Sequence, residues 1–167
     1  MEPFRSVRGG GARVSLAAAE ASLLRSLVGQ VMSLVEPDDL EGPGPGSGPG
    51  EDAELAALEA MVHGPGADKP PEDPVLARLL PDGYRDDPEA AGEFRRYTEP
   101  ALRSAKYQAA QEMLDTLPES GGRIQLSQDQ ALSWLKALND VRLALGVRLG
   151  VTEEFEEQWG QLKPDDP

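Results

Sequence analysis

In two long stretches of this chain apolar side chains recur every three or four residues, the period of a helix that buries one face. Leu23, Leu24, Leu27, Val31, Leu34 and Val35 define the first, a helix predicted over 18–35 and stopped by Pro37. Ala131, Trp134, Leu135, Leu138, Val141, Leu145 and Leu149 define the second, over 128–149, where Ser127 and Gln130 stand three apart as a capping box. This second helix is expected at the centre of the core. Shorter helices are predicted over 53–62, opened by Asp52 and closed before Gly64, and over 75–80, opened by Asp73-Pro74 and stopped by Pro81. Asp87-Pro88-Glu89 starts a further path through 89–97 and 99–117, with Leu102, Ala105, Ala109, Met113 and Leu117 inward. Pro100 is expected to kink that path, or to restart it with Thr98 as a new N-cap. A last, acidic helix over 153–162 would set Phe155 and Trp159 one turn apart, against the chain's own core or else a neighbour's.

Two short segments change period. Arg13-Val14-Ser15-Leu16 and Arg123-Ile124-Gln125-Leu126 alternate polar with apolar, as a half-buried strand does, and each leads straight into a long helix. With a further segment ahead of Gly9-Gly10-Gly11, they predict a small N-terminal antiparallel β element with strands near 4–8, 12–17 and 122–126. The expected fold class is mainly α: a bundle of about five or six helices with this sheet on one side. The chain reads as a single domain over 1–167. Within it, residues 37–52 and 64–73 are Gly/Pro-rich insertions whose composition supplies too little apolar burial to offset ordering entropy, and 163–167 reads as a disordered tail.

The formal charge is −14, and it is unevenly placed. Residues 36–59 hold eight acids and no base, and 152–167 hold six acids and one lysine, so the rest of the chain sums to −1. Such a chain lacks the basic footprint of a general nucleic-acid binder, and no nucleic-acid partner is expected. No apolar stretch resembles a signal peptide or a membrane span, so a cytoplasmic, soluble protein with no membrane partner is expected. Cysteine is absent and His63 is the one histidine, which removes thiol nucleophiles, thiolate metal sites and His-rich metal sites together. His63 falls at a predicted helix end, where a cation is favoured. In residues 82–93, Tyr84 and Asp87 break the spacing of a calcium loop. No metal and no cofactor are expected, and no catalytic residue is assigned.

Two groups of polar residues remain as candidates. Arg95, Arg96, Arg103 and Lys106 are a basic concentration in an acidic chain, suited to an anion or a partner's carboxylates. Arg95, Glu99 and Arg103 are spaced by four and would form a surface ion-pair ladder on an unbroken helix. Asn139, Asp140 and Arg142 interrupt the most apolar helix of the chain. They are expected to form a buried network, with Arg142 paired to a carboxylate of residues 82–99, or else a pocket; Asn139 and Arg142 can face together while Asp140 points elsewhere.

Three blocks, residues 73–84, 93–106 and 134–146, include Leu80-Pro81-Asp82-Gly83-Tyr84, Glu93-Phe94-Arg95-Arg96-Tyr97 and Trp134-Leu135-Lys136-Ala137-Leu138-Asn139-Asp140-Val141-Arg142. Together they resemble an actinobacterial family known as a numbered domain of unknown function. The resemblance spans nearly the whole chain outside the two insertions and brings no catalytic residues with it. It implies, through genes often found beside the Clp adaptor ClpS and a JAMM-type metalloprotease, a partner in Clp-related proteolysis. Two functional classes follow: a non-catalytic interaction or accessory protein, or a small-ligand binder or enzyme with an Arg/Asn/Asp pocket.

Overall fold

The computed structural model describes residues 2–7, 9–37, 69–84 and 86–151. It is mainly helical, with a three-stranded antiparallel sheet in the order β1-β2-β3. Strands β1 (Glu2–Ser6) and β2 (Ala12–Leu16) are followed by helices α1 (Ala18–Leu34), α2 (Pro74–Leu79) and α3 (Pro88–Thr116), then by β3 (Gly122–Leu126) and α4 (Gln128–Arg148). The two alternating segments seen in the sequence are adjacent strands, with Val14 opposite Ile124 and Arg13 opposite Gln125. Each feeds a long helix. The helices predicted over 53–62 and 153–162, most of the two insertions, and the tail at 163–167 lie outside the described residues.

Local chemistry sets the helix starts. The Asp73 carboxylate accepts from the Val75 and Leu76 N–H groups at 2.7 and 2.9 Å, and Asp87 accepts from Ala90 at 3.0 Å. Proline follows each at the first helical position, where its missing N–H would have had no partner anyway. Ser127 and Gln130 exchange the two bonds of a capping box, at 3.2 and 3.0 Å. α1 starts at Ala17, which has no capping side chain; Glu20 reaches back to its N–H at 2.8 Å.

α3 is not restarted at Pro100. It runs unbroken from Pro88 to Thr116 with Pro100 inside it, and Thr98 donates to the Phe94 carbonyl at 2.8 Å and caps nothing. A mid-helix proline leaves the carbonyl four residues back without its bond. Here Glu99, beside the proline, holds an arginine one turn before and another one turn after, so ion pairs span the weak point.

The core lies between the sheet and the helices. Val14, Leu16, Ile124 and Leu126 cover the inner sheet face; Val28, Val31, Leu79, Met113, Leu117, Ala137 and Val141 come from the helices. α4 packs against α3, α2 and α1, as its central role requires. Trp134 is sealed in, its indole N–H donating to Thr116 Oγ1 at 2.7 Å and its ring meeting Phe4 edge-on at 6.3 Å. Arg25 of α1 caps the end of α3 by donating to the Leu117 and Leu114 carbonyls. Gly121 turns the chain from α3 into β3 with φ +71°, in a space where a Cβ would lie 2.6 Å from the Leu16 carbonyl oxygen.

Apolar period alone overstated the buried face of α4. Leu135 and Leu149 are 66% and 73% exposed, and Leu102 of α3 is also exposed. The fully buried apolar stripe of α4 runs through Trp134, Ala137, Val141 and Ala144, with Ala131, Leu138 and Leu145 half-buried beside it.

Candidate functional site

The charged residues singled out in the sequence collect along α3 and the seam it shares with α4. Arg95 is 5% exposed and Glu99 is 7% exposed, so the predicted ladder exists but is buried. One Arg95 guanidinium nitrogen pairs with Asp82 in the loop before α3, and the other lies 3.4 Å from Glu99. Glu99 receives Arg103 Nε and Nη2, both at 2.8 Å, and Arg103 Nη1 donates to the Leu34 carbonyl at 3.4 Å. This chain of contacts ties the α2–α3 loop to the C-terminal end of α1. Loop residues Gly83 and Tyr84 pack on Phe94, Tyr84 meeting its ring edge-on at 5.7 Å, which holds Asp82 in place. Arg96 is half-buried at the neighbouring helical position.

The buried network therefore belongs to Arg95. Arg142 is exposed and donates to Asn139 at 3.1 Å, so it does not pair with a carboxylate of residues 82–99. The reason is rotational: residues 139 and 142 share the outer face of α4, while Asp140 turns inward and is 3% exposed. Asp140 meets Lys106 of α3 at 2.6 Å. The structure thus joins one residue from each candidate group into a pair across the seam. Leu102, Ala105, Lys106, Lys136, Asn139 and Asp140 line an open hollow of about 330 Å³ over that pair. Lys136 was not anticipated; it lies one residue from the apolar stripe and carries no sequence signal of its own.

A second and larger concavity holds no ionisable side chain. Phe4, Leu126, Ala131, Leu132, Leu135 and Leu138 line a groove of about 490 Å³ between the sheet and the N-terminal half of α4, with Gln128 at its polar edge. Among the described residues, no helix is long and apolar enough to cross a membrane.

These features define a helical domain with an accessory sheet, whose most buried charges neutralise one another. The chain belongs to the family described as "Domain of unknown function (DUF2017)", whose model matches residues 1–167. Among curated proteins, it is similar to "Oxidative stress regulator AosR" of Mycobacterium tuberculosis (strain ATCC 25618 / H37Rv) and of Mycobacterium bovis, at 39% identity over 152 residues, or 83% of this chain and 65% of each relative. "Putative oxidative stress regulator AosR" of Mycobacterium leprae is 37% identical over 169 residues, covering 93% of this chain and 69% of the relative. The match therefore spans just under two thirds of the tuberculosis and bovis proteins. No solved structure matches the chain.

Proposed function

We propose that this chain is a non-catalytic regulatory protein of the cytoplasm that acts in the response to oxidative stress by holding a protein partner. The observation that carries it is the mutual neutralisation of the buried charges. Arg95 is engaged by Asp82 and Glu99, Arg103 by Glu99, and Lys106 by Asp140, which leaves these groups structural roles in place of proton transfer. The name of the relatives supports the setting. With no cysteine in the chain, a thiol–disulfide switch is not open to it, and an oxidant signal would reach it through its partner or through one of its four methionines. A Clp component as that partner is the narrower reading that the family's gene setting implies; the names of the relatives refer to oxidative stress instead.

Deletion of the gene in its actinobacterial host, followed by peroxide challenge, tests the proposal. Altered survival and altered transcript levels are expected, restored by the wild-type chain, together with recovery of one stoichiometric partner on the tagged protein. An unchanged deletion strain, or substrate turnover by the purified protein, overturns it.

The hollow over Lys106 favours a second reading, a small anion ligand, with Lys136 and Asn139 on its lining as donors and Lys106 already taken by Asp140. Titration calorimetry with phosphate and small dicarboxylates tests it, and wild-type heats equal to those of a Lys136→Gln variant would remove it.

A further inference from the structure

The outer face of the sheet collects arginines that are far apart in sequence. Along β2 and β3 the buried residues are Val14, Leu16, Ile124 and Leu126, so Arg13, Arg123 and Gln125 stand on the opposite, exposed face. Arg5 of β1 joins them: it is exposed, it lies directly opposite Arg13, and its neighbour Phe4 is the residue that turns inward to Trp134. Arg13 lies opposite Gln125, and Ser15 opposite Arg123. Directly paired residues have Cβ atoms roughly 5 Å apart and diagonal ones roughly 7–8 Å, so three guanidinium groups share a patch on the order of 10 Å across.

Nothing described neutralises them. The ion pairs among the described residues lie along α3 and its seam with α4, and none of the three arginines makes a side-chain hydrogen bond or an ion pair there. Two like charges directly opposite on a sheet are destabilising, so the Arg5–Arg13 pair weakens the free fold. Strand pairing sets one acidic residue, Glu2, opposite Ser15, against three arginines. We propose that the outer sheet face is a docking surface for an acidic segment of a protein partner. Guanidinium forks suit carboxylates, and Ser15 and Gln125 between them offer neutral hydrogen bonds to a peptide backbone.

Charge distribution selects the protein partner over nucleic acid. Three phosphate contacts give a salt slope of only about −2.7, whereas a duplex carries a charge about every 1.7 Å along its whole length and would face the rest of a −14 chain. A short acidic segment confines its charge to the patch. The proposal rests on the partner-binding reading above and assigns it a surface and a partner chemistry.

Fluorescence anisotropy at low salt with a labelled peptide alternating glutamate and serine tests it on the full chain. Saturable binding is expected, weakened about tenfold by Arg13→Gln and further by the Arg5→Gln/Arg123→Gln double variant. Arg78→Gln, at an exposed cation in the last turn of α2, should leave it unchanged. These exposed substitutions should preserve the circular dichroism spectrum, and Arg13→Gln should raise Tm by relieving the like-charge pair. No saturable peptide binding by the wild type, equal weakening by Arg78→Gln, or a labelled duplex held more tightly than the peptide by the same arginines overturns the proposal. If the peptide fails while the peroxide phenotype and the recovered partner persist, partner binding stands and only this surface assignment falls.

Discussion

Lys106 of α3 and Asp140 of α4 meet at 2.6 Å, with side chains 17% and 5% exposed. The pair links the two longest helices beneath an open hollow lined by Leu102, Ala105, Lys136 and Asn139. Its value to stability lies in the partners being present together, because each charge would be expensive to bury alone.

Removing one partner is therefore worse than removing both. Lys106→Met should destabilise the fold by about 3 kcal/mol by stranding the Asp140 carboxylate, while Lys106→Met/Asp140→Leu should recover most of that loss. Urea denaturation of the two single variants and the double variant measures the coupling. Additive losses would mean that the two side chains act independently.

Glu99 and Pro100 make a second linked pair. Glu99→Gln should cost about 3 kcal/mol, since it leaves buried Arg95 with Asp82 alone and releases Arg103 from α3. Pro100→Ala should instead stabilise the chain by about 1–3 kcal/mol, by restoring the N–H that a helix interior needs. Thermal unfolding of both variants checks the contrast. A loss on Pro100→Ala would show that the ring, and not the ion ladder, holds this turn.

The residues that were legible in sequence are those whose partners lie within one turn. Asp73, Asp87 and Ser127 cap helices through contacts two or three residues away, and Asn139 and Arg142 meet three apart on one face. The alternation of residues 13–16 and 123–126 identified two strands because period two needs no tertiary information. What escaped depends on contacts distant in sequence. Pro100 reads as a helix breaker, and the ion pairs that the neighbouring Glu99 makes one turn to either side are what the sequence does not show. Arg142 and Arg95 exchanged roles because burial of a charge depends on which helix face meets a neighbour, and Asp82 reaches Arg95 only after the preceding loop has folded onto Phe94. Arg5, Arg13 and Arg123 are unremarkable until strand pairing sets them side by side.

The turn into β3 separates two glycine requirements that sequence cannot distinguish. Gly121 needs both a positive φ and an empty Cβ position, whereas Gly122, at φ +117°, has nothing within 4 Å of its Cβ position. Gly122→Ala should carry only the conformational penalty, about 1–2 kcal/mol. Gly121→Ala adds a clash with the Leu16 and Ala17 backbone and should cost at least twice as much, on the order of 3 kcal/mol or more. Equal melting temperatures for the two variants would rule out the close approach.

Thr116 connects the polar end of Trp134 to the last turn of α3. Its hydroxyl oxygen accepts the indole N–H at 2.7 Å while its own proton goes to the Glu112 carbonyl at 2.7 Å, so one side chain serves both ends of the contact. Thr116→Val keeps the shape but leaves a buried N–H without a partner, and should cost about 1–3 kcal/mol. Trp134→Phe removes that N–H but opens a cavity against Phe4, for a loss of similar size. In the combined variant no unsatisfied indole N–H remains to be penalised, so its loss should fall about 1 kcal/mol short of the sum of the single losses. A double-mutant cycle in urea reads that difference, and strict additivity would mean that the hydrogen bond contributes nothing to the packing of α3 on α4.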